Sequence, residues 1–230
     1  VTNASRTAII IGASRGLGLG LAEAYLDLGW RVIATRRNAS NGALDALKQK
    51  HGARLDLADL DVTDDAGIAA LRQRLASETL DLLFVSAGIN IDSKLPVSAV
   101  SLATFTAVMT TNALAPMRII EAFVDLVPAR GVIAAMTSGL GSVAANTTGG
   151  YEVYRASKAA LNTLLRSFSA RNPRRAIVAM HPGWVRTDMG GAGAAISIDR
   201  SVEGMVNVLA AQLGKPGCVF LDYQGKTLPW

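Results

Sequence analysis

The 230 residues contain one cysteine, Cys218, and two histidines, His51 and His181. A single thiol forms no intrachain disulfide, so folding needs no oxidising compartment. Cys218 stands in the apolar run Cys218-Val219-Phe220-Leu221, far in sequence from either histidine, and reads as a small buried hydrophobe. Two separated histidines without a Cys-rich or carboxylate motif offer no metal site. His51, ahead of Gly52, reads as a solvated helix-end residue. Aromatic residues are only 5% of the chain, too few for a base-stacking platform. The net charge of +5 is spread out, with Arg36-Arg37 and Arg171/Arg174-Arg175 as the main clusters, so no nucleic-acid partner is expected. No run of about 18 apolar residues exists, so no membrane-spanning helix is expected. The opening Val1-Thr2-Asn3-Ala4-Ser5-Arg6 lacks the length and cleavage pattern of a signal peptide. Those absences together favour a cytoplasmic location.

What is present is an ordinary globular balance, 50% hydrophobic and 18% charged. The length suits one domain over residues 1–230, with no linker and no internal repeat. Short apolar runs at 7–11, 31–35, 54–61, 80–86, 131–137, 176–181 and 219–222 predict strands. Helix patterns fall between them at 16–28, 43–50, 64–77, 102–127, 151–170 and 201–213. Asp64 and Gly29 are ordinary cap signals. Such alternation predicts a single α/β domain of the Rossmann-type, doubly wound kind, with a parallel sheet and helices on both faces. Strands that are apolar throughout fit a sheet covered on both sides.

The first strand runs into Gly12-Ala13-Ser14-Arg15-Gly16-Leu17-Gly18, where a helix pattern begins. Glycines at such a corner permit a tight turn and close approach of a pyrophosphate to the helix N-terminus. The bland alternative is a close-packed strand–helix turn. At the end of the second strand an acid would bond the ribose hydroxyls of NAD. Arg36 stands there instead, followed by Arg37. A carboxylate repels a 2′-phosphate, whereas a guanidinium binds it, and Arg15 can reach the same group. NADP(H) is therefore expected over NAD(H). Asp61-Val62 closes the third strand; Asp61 either accepts from an adenine amino group or caps a helix.

Tyr154 and Lys158 lie four residues apart in a helix pattern and so share a face. Reducing a carbonyl requires a proton for the nascent alkoxide, and a phenol can supply it. A phenol of pKa ~10 is a poor base at neutral pH, and an ammonium about 5 Å away lowers it by roughly 3 kcal/mol at an effective dielectric of about 20. Ser138 follows the fifth strand and can hold a substrate oxygen, with Ser142 as its competitor. Asn112 lies within the helix pattern 102–127, four residues before Pro116, which suggests a local break able to hold a water on a proton path to Lys158. Thr187 can bond a carboxamide, with Val185 lining the same pocket.

These residues together resemble the short-chain dehydrogenase/reductase family. The matching pieces are Gly12-x3-Gly16-x-Gly18, Asp61-Val62, Ser86-Ala87-Gly88, Asn112, Ser138, Tyr154-x3-Lys158 and His181-Pro182-Gly183. The resemblance implies a seven-stranded sheet, a nicotinamide cofactor and the catalytic set Asn112, Ser138, Tyr154 and Lys158. It places the cofactor on Gly12, Ser14, Arg15, Gly16, Leu17, Gly18, Arg36, Arg37, Asp61, Val62, Ala87, Gly88, Tyr154, Lys158, Pro182, Gly183, Val185 and Thr187. Residues 146–151, 154–162 and 181–191 and the ending 220–230 are similar to the C-factor and Sniffer branch of carbonyl reductases. Two departures stand out: Ser86 replaces the family's asparagine, and Ser138 lies 16 residues before Tyr154, about three more than is common there.

The expected activity is hydride transfer between NADP(H) and a small, fairly apolar carbonyl or alcohol. Segments 89–95, 140–151 and 184–198 would line the pocket, and 188–199 would form a lid. The alternative is a dinucleotide-binding signalling protein that needs no catalysis. The resemblance further implies subunit pairing through 102–127 and 151–170, as a homodimer or homotetramer.

Overall fold

The computed structural model describes residues 6–37, 42–92 and 94–230. Residues 1–5 of the opening run, and Ser93 of the pocket segment 89–95, lie outside them. Seven strands form one sheet: β1 (Thr7–Ile11), β2 (Arg31–Arg36), β3 (Leu55–Asp59), β4 (Leu82–Val85), β5 (Val132–Met136), β6 (Ala176–His181) and β7 (Gly217–Asp222). Their order is β3-β2-β1-β4-β5-β6-β7, and every neighbouring pair is parallel. The helices are α1 (Gly16–Asp27), α2 (Gly42–His51), α3 (Asp65–Arg74), α4 (Leu102–Met109), α5 (Ala115–Phe123), α6 (Glu152–Arg171) and α7 (Ile198–Gln212). This is the doubly wound α/β architecture expected from the alternating pattern.

Strand side chains alternate between two cores. Ile9, Ile11, Ile33, Leu83, Val85, Ile133 and Ile177 face one layer, packed with α3, α5 and α6 through Ile68, Leu71, Ile119, Phe123, Leu161 and Phe168. Their neighbours Ala8, Ile10, Val32, Phe84, Ala134 and Val178 face the other, with Leu21, Leu26, Leu44, Met205 and Leu209 of α1, α2 and α7. Each fully buried Leu, Ile or Phe contributes about 1.5–3 kcal/mol, so both faces must be covered for the sheet to persist. Cys218 is half-buried on β7, and burial pushes its thiol up to about 11, which keeps it protonated and unreactive at neutral pH.

Several boundaries differ from the sequence reading for identifiable reasons. The single helix expected over 102–127 is two helices joined by a π-helical turn, Thr110–Leu114. Pro116 has no N–H to give the carbonyl of Asn112, and its ring crowds that carbonyl, so the ladder widens there. Helix α7 starts at Ile198, where the Ser197 side chain accepts from the Arg200 N–H, so residues 198–199 of the expected lid belong to a helix. β3 stops at Asp59, leaving Asp61 beyond the strand it was expected to close, although the Leu60 N–H still bonds the Arg36 carbonyl at 2.7 Å. His51 is buried, not solvated: Arg54 Nη2 lies 3.2 Å from its Nδ1, and Asp27 Oδ1 lies 3.5 Å from its Nε2.

Candidate active site at the carboxyl edge of the sheet

Connections from β1 and β4 leave the sheet in opposite directions, which opens a crevice at their carboxyl ends. Gly12 follows β1 with φ +83°, and a Cβ there would lie 2.9 Å from the Ala87 nitrogen, so the two turns touch through backbone. A Cβ on Gly18 would lie 2.2 Å from the Gly12 carbonyl oxygen, so only glycine lets α1 begin this close to the strand end. Thr35 fastens the turn to β2: its Oγ1 accepts from the Gly12 N–H at 2.9 Å and its carbonyl from the Ala13 N–H at 2.8 Å. Asp64, Ser101 and Ser197 cap α3, α4 and α7, but α1 has neither a side-chain cap nor an acid in its first turn. Its N-terminal N–H groups and positive dipole end face out beside Ser14, Arg15, Gly16 and Leu17, an arrangement suited to an anion.

The basic corner beside this turn is differentiated. Arg36 bonds Asp45 Oδ1 at 2.7 Å and Asp59 Oδ1 at 3.0 Å, and its side chain is 12% exposed. The hydrogen bond to Asp45 leads the effects that raise its pKa. Arg37 is exposed, and its charge helps hold Asp61 ionised. The larger influences on Asp61 are hydrogen bonds from the Thr63 hydroxyl and N–H, at 2.7 and 2.8 Å, which lower its pKa. Capping of α3 falls to Asp64, so Asp61 is not a helix cap. Val62 is buried beside it. Arg15 reaches across to Asp188 at 2.6 Å, both ends exposed.

Helix α6 presents Tyr154 and Lys158 one turn apart, with Lys158 Nζ 5.8 Å from the phenol ring centroid. Burial pushes the Tyr154 phenol up to about 12, and the neighbouring Ser138 hydroxyl pulls the other way. The expected net lowering of this phenol by Lys158 is therefore reversed, because desolvation of a phenolate dominates. Burial also drives Lys158 down to about 8, and its Nζ donates to the Met136 carbonyl at 2.9 Å. Ser138 leads a tight turn, accepting from the Leu140 N–H at 3.1 Å. Its competitor Ser142 is buried and accepts from the Ala145 N–H at 3.0 Å, so Ser138 is the serine paired with the phenol.

Asn112, wholly buried in the π turn, grips the segment after β4. Its Oδ1 accepts from the Ile89 N–H and its Nδ2 donates to the Ile89 carbonyl, both at 2.8 Å. A Cβ on Gly88 would lie 3.3 Å from Asn112 Oδ1 and 3.4 Å from Lys158 Nζ, so Gly88, Asn112 and Lys158 meet at one point.

Beyond β6, the Pro182 carbonyl accepts from the Ser201 hydroxyl at 2.6 Å and Gly183 sits at φ +84°. Val185 pairs with Ile196 and is buried. Thr187 accepts from the Gly190 N–H at 3.1 Å, and its methyl lies 3.7 Å from where a Gly16 Cβ would be, so this loop overlies the glycine turn. His181 lies under the Ser138 turn, its Nε2 3.2 Å from a Cβ built on Gly139, and burial lowers its pKa. A groove of 760 Å³ lined by Thr63 and the outer face of α4 holds no titratable side chain, so proton chemistry does not belong there.

Two supporting residues, Ser157 and Asn162, carry no role in the sequence reading. Ser157, fully buried, donates to the Tyr154 carbonyl at 2.7 Å and accepts from Asn112 Nδ2 at 3.0 Å. Asn162 accepts from the Thr137 hydroxyl at 2.7 Å and donates to the Gly141 carbonyl at 3.2 Å. The signal for Asn162 was its place four residues beyond Lys158, on the same helix face.

The family model for short chain dehydrogenase matches residues 6–195. A putative short-chain dehydrogenase/reductase from Burkholderia multivorans with bound NADP is 46% identical and superposes with a TM-score of 0.95, covering 98% of this chain and 100% of that one. Carbonyl reductase Sniffer of D. melanogaster is 31% identical with a TM-score of 0.89, over 98% and 100% of the two chains. C-signal of Myxococcus xanthus is 43% identical over 125 residues, 53% of this chain and 75% of that protein. An uncapped glycine corner, a Ser–Tyr–Lys cluster at the switch point and a family match over most of the length agree: the chain belongs to the short-chain dehydrogenase/reductase family, with C-signal and carbonyl reductase Sniffer among its relatives.

Proposed function

We propose that this protein transfers hydride reversibly between NADP(H) and a small carbonyl or alcohol, with Tyr154 exchanging the proton at the substrate oxygen. The observation that carries the proposal is the convergence of Ser138, Tyr154 and Lys158 beside Gly88, at the mouth of the glycine turn. The corner fits a dinucleotide: the α1 N-terminus, without a side-chain cap or a first-turn acid, would receive the pyrophosphate, and guanidinium groups flank it. NADP(H), bound in the Burkholderia relative, supplies or takes up the hydride when bound.

The protein's own groups do the rest. Ser138 donates a hydrogen bond to the carbonyl oxygen and orients it. Tyr154, with its pKa near 12, stays protonated at neutral pH and gives its proton to that oxygen during reduction. Lys158, protonated below about pH 8, stabilises the phenolate and holds the nicotinamide ribose. Asn112 holds the Gly88–Ile89 segment in place, its amide bonded to both backbone groups of Ile89. Arg15 and exposed Arg37 supply charge to the 2′-phosphate, while Arg36, already committed to Asp45 and Asp59, shapes the corner. Leu102, Phe105 and Leu114 on the α4–α5 arm and Leu164 on α6 are exposed, and subunits would pair across them.

The test is a carbonyl screen followed through NADPH absorbance. Tyr154→Phe should lower turnover by about 10²–10⁴-fold and leave NADPH affinity in place. Full turnover in that variant overturns the proton role. Wild-type protein that binds NADPH and reduces no carbonyl supports the binding-only, signalling alternative instead.

A further inference from the structure

We propose that Asn162 is a positioning residue that holds the Ser138 turn against Tyr154. The inference rests on the reductase reading and adds to it a residue that contacts neither substrate nor cofactor. Residues 154, 158 and 162 recur every four positions on α6 and so line one face. The first two face the reacting groups; the third is 3% exposed and faces the backbone that carries Ser138.

Its two bonds bracket that serine. Thr137, immediately before it, donates its hydroxyl to Asn162 Oδ1 at 2.7 Å. Gly141, three residues after it, accepts from Asn162 Nδ2 at 3.2 Å. Between these two points the chain makes the turn on which Ser138 is borne, closed by the Gly141 N–H to the Ser138 carbonyl at 2.8 Å. Gly141 lies flat on α6: a Cβ there would sit 2.9 Å from both the carbonyl carbon and Cβ of Lys158. The turn is thus pressed onto the helix that carries Tyr154 and Lys158, and Asn162 is the side chain that bonds it there. An amide suits the task because it both donates and accepts, and both partners are themselves buried. The downstream segment offers no substitute, since residues 143–150 are all exposed. Lys158 Nζ ties the strand end at the Met136 carbonyl, and Asn162 ties the turn itself, so the Ser138–Tyr154 distance is set in part by this buried bridge.

The experiment compares wild type with Asn162→Leu, a near-isosteric change that removes both bonds, and with Thr137→Val, which removes only one. In Asn162→Leu, kcat should fall by about tenfold to a hundredfold from misplacement of Ser138, with NADPH affinity unchanged. The Ser138 hydroxyl pulls the phenol pKa down, so moving it away should shift the rising limb of the alcohol-oxidation pH profile to higher pH. Thr137→Val should show a smaller change in the same direction. Lowered thermal stability with an unmoved limb and unchanged kcat overturns the inference alone. A wild-type protein that turns over no carbonyl overturns the reductase reading and this inference with it. Should Asn162→Leu not fold, Gly141→Ala carries the same test from the turn's side, because its methyl group would pry the turn off Lys158.

Discussion

Lys158 and Tyr154 show how one burial event acts in opposite senses on two groups. Water excluded from the crevice disfavours the charged form of each, so the ammonium is driven down to about 8 and the phenol up to about 12. The sequence alone favoured the pairwise Coulomb effect, because spacing reveals proximity and not solvent. At neutral pH the lysine is still charged and is buried at a cost. Its fall from 10.5 to about 8 corresponds to on the order of 3 kcal/mol of lost stability. Lys158→Met should therefore raise the midpoint of urea unfolding at pH 7 while abolishing turnover. The sign follows from proton binding. Below about pH 8 both folded and unfolded states hold the proton and the penalty is complete. Between about pH 8 and 10.5 the unfolded chain binds more protons, so the wild type gains stability as pH rises. The advantage of the methionine variant should shrink across that window. A constant advantage from pH 7 to 10.5 would show that burial of charge is not its source.

At the scale of elements, the π turn is the feature that joins fold to site. Pro116 removes one helical bond, the ladder widens, and Asn112 is turned onto Ile89, where its amide replaces a missing backbone partner on the segment after β4. Asn112→Ala should cost about 2 kcal/mol, since two backbone groups of Ile89 lose their partners. It should also weaken NADPH binding by loosening Gly88, and isothermal titration with thermal unfolding would read both. This break was legible in the sequence because proline acts locally and its consequence falls four residues back. The glycine turn was legible for the same reason: Gly12, Gly16 and Gly18 answer to local geometry. The start of α7 was not, because the Ser197 cap follows a run of small residues that resembles loop. Nor were the ties of Arg36, whose carboxylate partners come from other elements, 9 and 23 residues away. The burial of His51 likewise depends on Asp27, contributed by the end of α1. Positions fixed by their neighbours in sequence can be read from sequence, and positions fixed by tertiary contact cannot.

Taken as a whole molecule, the sheet order gathers the first-strand turn, the basic corner and the Ser–Tyr–Lys cluster along one edge, although they come from residues 12 to 158. A ligand lying along that edge would link elements distant in sequence, so it should stabilise the native state as a unit. Binding only to the folded form adds about 2.7 kcal/mol at a ligand concentration of 100 Kd. NADPH should then raise the unfolding temperature more than equimolar NADH does. The difference isolates the arginine corner, because the two ligands differ only in the 2′-phosphate. Arg37→Asp should erase most of it by placing a carboxylate against that phosphate. Arg36→Asp should reduce it too, but by another route: a third acid beside Asp45 and Asp59 would distort the corner and lower stability without any ligand. Comparing ligand-free unfolding temperatures therefore separates the two arginines. An NADPH shift equal to that of NADH in the wild type would overturn the preference, and an unaltered difference in both variants would assign it to Arg15.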